Sequence, residues 1–128
     1  MLLARVLIGL VFLVNIQCAG AFLIHPAAYM HGFGLDSVVG EQMVRALGLL
    51  FVMWNVPYLV ALWHPIRHRI SLYEALAMQT IGLVGESIIY LTLPAIHVAL
   101  RASVLRFIAF DALGLVLLLI AAWITREG

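Results

Sequence analysis

A chain of 128 residues that is 66% hydrophobic and only 10% charged, with a mean hydropathy of +1.15, lies far outside the composition of a water-soluble domain and calls for lipid as its solvent. A net charge of +1 offers no electrostatic footprint for nucleic acid or another polyanion, and a single cysteine, Cys18, excludes an internal disulfide. No phosphate-binding glycine loop or nucleophile elbow occurs.

Crossing the hydrocarbon core takes roughly 20 apolar residues as a helix. Four such spans fall at about 3–24, 42–63, 71–93 and 103–124. The predicted fold is all-α, a four-transmembrane-helix bundle with short loops, and residues 1–128 form one domain with no room for a soluble one.

The first span opens with Arg5 and passes the small residues Ala19, Gly20 and Ala21, which imitate a signal-peptide cleavage region. One basic residue is a thin n-region, however, and the apolar stretch is long enough to cross, so a retained helix is expected. Gln17 ahead of Cys18 does not fit a lipoprotein cleavage site, and Cys18 reads as a small buried apolar residue. The connection 25–41 carries Pro26, Gly32, Gly34 and Gly40, which predict a turn-rich loop or a short interfacial segment.

In the second span Glu41 stands four residues before Arg45 on one helical face, where the two can pair locally. Further on comes Met53-Trp54-Asn55-Val56-Pro57-Tyr58. Pro57 has no N–H for the Met53 carbonyl, so a kink or a polar opening is expected at mid-depth. Trp54 and Tyr58, four apart beside Asn55, can form one wall of a pocket for a flat lipophilic molecule such as a quinone, an isoprenoid or a tetrapyrrole. Their competing use is ordinary packing. The short loop from Trp63 to Arg69 carries Arg67 and Arg69 and reads as an anchor to anionic headgroups.

The third span holds Gln79 and then Gly82 and Gly85 just ahead of Glu86, glycines that let a neighbouring helix come close. The fourth holds Arg106 and Asp111. No acid lies three or four residues from Arg106, so its partner is expected from another helix.

Asn15, Glu86 and Asp111 each sit seven to nine residues inside the outer end of their span, which at about 1.5 Å per residue places all three roughly 10–14 Å deep. A carboxylate facing lipid is unfavourable by several kcal/mol, so Glu86 and Asp111 are expected to turn inward and meet. Without a cation between them one of the two holds a proton; with Arg45 or Arg106 between them both ionise. Asn55 and Gln79 belong to the same cluster at a deeper level. The plain alternative is that these side chains only glue the helices together, the expected role of Asn15, Gln17, Asn55, Gln79 and Ser87.

Arg5, Arg67, Arg69 and Arg126 fall at the end shared by the termini, against Arg45, Arg101 and Arg106 at the other. That margin and the compact basic loop predict cytoplasmic termini. His25 and His97 both belong near the outer surface, but no metal-ligand spacing links any of the five histidines, and no metal site is expected.

The run Arg5-Val6-Leu7-Ile8-Gly9-Leu10-Val11-Phe12-Leu13, with the chain length, the helix count and the shared side of the termini, resembles the DoxX-like small four-helix membrane proteins. The resemblance implies a multi-pass protein of a bacterial cell (inner) membrane and an association with membrane redox or quinone-linked systems; no residue role comes with it. Three functions fit the residues. The chain is an accessory or lipophilic-ligand-binding bundle, with Asn15, Arg45, Trp54, Asn55, Tyr58, Gln79 and Arg106 as ligand contacts, either by itself, as a homo-oligomer or in a larger membrane complex. Alternatively it is a membrane-embedded enzyme with Glu86 and Asp111 as acid and base, or a small proton-coupled transporter.

Overall fold

The structure is a computed structural model that describes all residues from Met1 to Gly128, and it is wholly helical, without strands. α1 (Leu2–Ile24) is followed by a short α2 (Pro26–Met30) and a 3-10 turn (His31–Phe33). α3 (Ser37–Trp54) and α4 (Val56–Trp63) form one interrupted stretch, and α5 (Arg69–Thr92) and α6 (Val98–Ile124) complete the chain. α1, α3 with α4, α5 and α6 are the four stretches long and apolar enough to cross a membrane. Such sequences become helices because lipid supplies no partners for backbone polar groups, and a helix satisfies them within the segment. The helices run up to five residues beyond the expected ends, α3 starting at Ser37 and α6 at Val98, since backbone pairing continues after the apolar core is crossed.

The expected kink is a one-residue interruption at Asn55, φ −88° and ψ 0°, after which the chain resumes as α4 with Pro57 in its first turn. Asn55 Nδ2 donates to the Phe51 carbonyl at 2.6 Å, beside the Asn55 backbone N–H that donates to the same oxygen at 3.2 Å. The connection 25–41 is the short interfacial kind: Pro26 starts α2, and Gly34 in left-handed conformation, φ 69°, closes the 3-10 turn.

Around the bundle, α1 packs on α3, α4 and α6, and α5 packs on α4 and α6. α2 lies on α3 and the 3-10 turn on α6, so the connection covers one end of the bundle. α3 has no packing interface with α5. The apolar core sits in the half near the termini, where Ile8, Leu72 and Leu118 interlock with Ala4, Ala61, Ala75 and Ala121. These alanines are wholly buried, and their size lets the backbones approach. A second, smaller cluster of Phe22, Met30 and Val44 lies toward the covered end. Only 23 of 128 residues are buried, and large apolar side chains such as Leu91 and Ile96, 81% and 84% exposed, lie open over the whole surface, which water does not tolerate.

Three arginines tie helix ends together. Arg5 Nε donates to the Leu62 carbonyl of α4 at 3.1 Å. Arg69 Nη2 donates to Thr125 O at 2.8 Å and Gly128 O at 3.0 Å, beyond the end of α6. Arg101 Nη1 donates to Leu93 O at 2.7 Å and to Tyr90 O at 3.2 Å, and its guanidinium lies 4.4 Å from the Tyr90 ring. Each satisfies orphan carbonyls and sets positive charge at the negative end of a helix dipole. Arg69 therefore staples the chain terminus to α5 instead of reaching for headgroups, and Arg67 alone of that loop pair is exposed. These contacts also place the termini and the 64–68 loop at the same end of the bundle.

Candidate functional site

Between the two apolar clusters the helices enclose a cavity of about 920 Å³. α1 contributes Asn15, Gln17, Cys18 and Phe22 to its wall; Phe51, Trp54, Asn55 and Tyr58 come from the two sides of the break; α5 gives Met78, Gln79, Gly82 and Glu86; α6 gives Ser103, Arg106, Phe107, Phe110 and Asp111. Ala28, Tyr29 and Phe33 close the end beneath the interfacial connection. Of the residues singled out from the sequence, Asn15, Trp54, Asn55, Tyr58, Gln79, Glu86, Arg106 and Asp111 all line this space. Arg45 does not, nor does it pair with Glu41, since the only ion pair in the structure joins Arg126 and Glu127.

The polar side chains form two connected groups. In one, Asn15 Nδ2 of α1 donates to Asn55 Oδ1 at 2.9 Å, so the amide that supports the helix break is itself held by a neighbouring helix. In the other, Tyr58 OH donates to Gln79 Oε1, and Gln79 Nε2 donates at 3.2 Å to both the side-chain Oδ1 and the backbone carbonyl of Asp111. A connected chain runs Tyr58, Gln79, Asp111 through three helices. Its inner members are shielded, Tyr58 being 3% and Gln79 4% exposed. Glu86 lines the same cavity, its Oε2 buried and without a donor from the protein.

Two glycines make room for this chain. A Cβ on Gly82 would lie 2.9 Å from Asp111 Oδ2, and a Cβ on Gly114 would collide with Gln79 Nε2. Any side chain at either position pushes into the polar groups. Gly85, by contrast, has nothing within 4 Å of where its Cβ would stand.

Arg106 is the one cation on the wall, and its Nη2 donates to Ser103 Oγ at 3.0 Å. Ser103 in turn donates to the Gly32 carbonyl, which fastens α6 to the interfacial connection. The expectation that Arg106 finds its partner on another helix is not met: its partner is this serine, three residues away on the same helix. Ser87 likewise bonds within its own helix, to Leu83 O at 2.6 Å.

The rest of the wall is aromatic, and most of it escaped the sequence reading. Phe22 stands at the centre, with its ring 5.3 Å from that of Tyr29, 5.7 Å from Phe33, 5.8 Å from Phe51 and 6.3 Å from Phe107. Phe33 and Phe107 are stacked at 6.0 Å, and Trp54 sits 5.8 Å from Phe51. The available signal was spacing: Phe22, Phe51 and Phe107 each stand four residues from a cavity-lining Cys18, Asn55 or Asp111. The arrangement is an apolar, ring-lined chamber with a carboxyl pair on one side and a guanidinium on another, and its volume falls within the range of about 300–1,000 Å³ typical of small-molecule sites. No three His, Cys, Asp or Glu side chains gather as a metal-ligand set. No protein-family model, curated protein or solved structure matches this chain.

Proposed function

We propose that this chain is a multi-pass membrane protein that binds a lipophilic, ring-bearing small molecule of quinone- or isoprenoid-like character in the cavity between its helices. The observation that carries the reading is the cavity itself: an aromatic lining that favours a flat apolar body, with a few convergent polar groups to fix its head. Four apolar helices and an outer surface of exposed leucine, isoleucine and valine support insertion in a bilayer. The basic 64–69 loop beside both termini supports their cytoplasmic placement in a bacterial cell membrane. A DoxX-like membership accords with this reading and would link the ligand to membrane redox chemistry.

Trp54 is a built-in reporter. Titrating the purified protein with a fully substituted short-chain benzoquinone, which quenches indole emission on contact, is expected to give a saturable component that Trp54→Phe removes. The other tryptophans, Trp63 and Trp123, lie away from the cavity and contribute only linear collisional quenching. Purely linear quenching in the native protein would refute the reading.

A second reading, acid–base catalysis on the bound lipophile, is favoured by two carboxyl groups, Glu86 and Asp111, on the wall of one cavity, Glu86 with an oxygen that no protein group pairs. Under this reading Glu86→Gln retains binding and abolishes chemical conversion of the ligand, whereas a binding protein returns the ligand unchanged from either form.

A further inference from the structure

We propose that the cavity is loaded sideways from the hydrocarbon, through the gap between α3 and α5, by a lipophile whose head carries both a hydrogen-bond donor for Glu86 and an acceptor for Arg106. This rests on the ligand-binding reading above and adds the route and the head-group chemistry.

The route follows from the packing. α1 seals against α3, α4 and α6, α5 seals against α4 and α6, and the interfacial connection, pinned by the Ser103–Gly32 hydrogen bond, covers the far end. Around the ring of α1, α3 with α4, α5 and α6, the one neighbouring side without an interface is that between α3 and α5, where α4 alone packs on α5. The residues flanking this gap are cavity residues that are also open to the outside: Trp54 is 46% and Ile81 71% exposed. Gly85 lies on the helical face between the cavity residues Ile81 and Glu86, and nothing stands within 4 Å of where its Cβ would be. On the opposite side a shallower groove of about 250 Å³ runs between α1 and α6 past Leu10 and Leu113. There the two helices are packed together, and Asn15 is the only polar side chain on its wall.

The head-group chemistry follows from what the protein leaves unpaired. Glu86 Oε2 is a buried acceptor with no donor, on a residue of the cavity wall. Arg106, an exposed residue of the same wall, makes one hydrogen bond, to Ser103, and keeps further N–H groups without a protein partner. A buried acceptor is unfavourable until matched, so the cavity holds the hydroxylated head of a quinol or phenol more tightly than the acceptor-only quinone, which meets Arg106 alone, or a hydrocarbon.

Cys18, the single cysteine, lines the cavity on α1 and serves as the reporter. The full-length protein in phospholipid vesicles is treated with a bilayer-soluble pyrenyl maleimide or with a charged, membrane-impermeant maleimide. The bilayer-soluble reagent is expected to alkylate Cys18 and the charged one to leave it intact. Gly85→Phe should slow alkylation by about tenfold or more, as expected when the only direct route is obstructed. Gly85→Ala and Leu113→Trp, the latter filling the α1–α6 groove, should leave the rate unchanged. If Gly85→Phe fails to give a monodisperse helical protein, Ile81→Trp obstructs the same gap. Alkylation by the charged reagent, an unchanged rate in the Gly85 and Ile81 variants, or slowing by Leu113→Trp would each overturn the sideways route. For the head group, 4-nonylphenol should protect Cys18 while its O-methyl ether does not, and Glu86→Leu should remove the difference. Equal protection by phenol and ether overturns the donor requirement alone. Protection by neither, nor by the benzoquinone, would instead sink the ligand-binding reading and leave the route standing.

Discussion

Replacing Gly114 by alanine adds one methyl group at the most crowded point of the polar chain. The new Cβ would collide with Gln79 Nε2 and stand 3.2 Å from Gln79 Cδ and 3.3 Å from Val11 Cγ1. The amide is the end of a flexible side chain, so it swings away and the backbone stays. In moving it gives up both hydrogen bonds to Asp111 and disturbs the one from Tyr58. Interhelical hydrogen bonds in a membrane contribute about 0.6–2 kcal/mol each, and stripping the donor from a buried carboxyl costs about 1–3 kcal/mol more. Against this, alanine for glycine within a helix gains up to about 1 kcal/mol. The net expectation is a loss of about 1–3 kcal/mol, while Gly85→Ala, with open space around it, is neutral or stabilising by up to about 1 kcal/mol. Reversible unfolding in mixed micelles of mild detergent and dodecyl sulfate, followed by circular dichroism, measures both. A Gly114→Ala protein as stable as the native one would refute the argument that Gln79 is locked against Asp111 by the missing side chain.

Asn55→Ala removes the 2.9 Å bond from Asn15 and the 2.6 Å support of the Phe51 carbonyl, and is expected to destabilise the bundle by about 1–2 kcal/mol in the same unfolding assay. Arg69→Gln releases the carbonyls of Thr125 and Gly128; it should cost about 1 kcal/mol and speed hydrogen exchange at residues 125–128, with the cavity unaffected. Ser103→Ala breaks the link between Arg106 and the Gly32 carbonyl and is expected to change global stability by less than about 1 kcal/mol. Its signature is faster exchange confined to the 31–34 amides, and uniform acceleration across α6 would contradict that role.

The polar part of the site was readable because membranes make its logic one-sided. A carboxyl or an amide on an apolar helix is expensive anywhere except inside, so Asn15, Asn55, Gln79, Glu86 and Asp111 had few places to go, and a common depth brought them together. Pro57 announced the break for an equally simple reason, a carbonyl without its donor. The aromatic wall was hidden because a phenylalanine facing a cavity and one facing lipid satisfy the same hydropathy. Phe22, 4% exposed, separates from a lipid-facing apolar residue such as Leu91, 81% exposed, only when the bundle is assembled. The arginines were misjudged for another reason. Acid partners were sought for Arg45 and Arg106 and headgroups for Arg69, whereas Arg5, Arg69 and Arg101 use the carbonyls at helix ends and Arg106 uses a serine, and backbone acceptors leave no mark in the sequence. Arg45 enters its span nearer the outer end than the acids and lines no part of the cavity.

Native mass spectrometry of the protein released from gentle detergent reads the occupant of the cavity itself. A bound lipophile is expected at one per chain, with an ionisable or hydroxylated head, retained by Gly85→Ala and lost when Glu86→Leu removes its anchor. A protein that carries only a scatter of bulk phospholipids, identical in the native and Glu86→Leu forms, would contradict the ligand-binding reading.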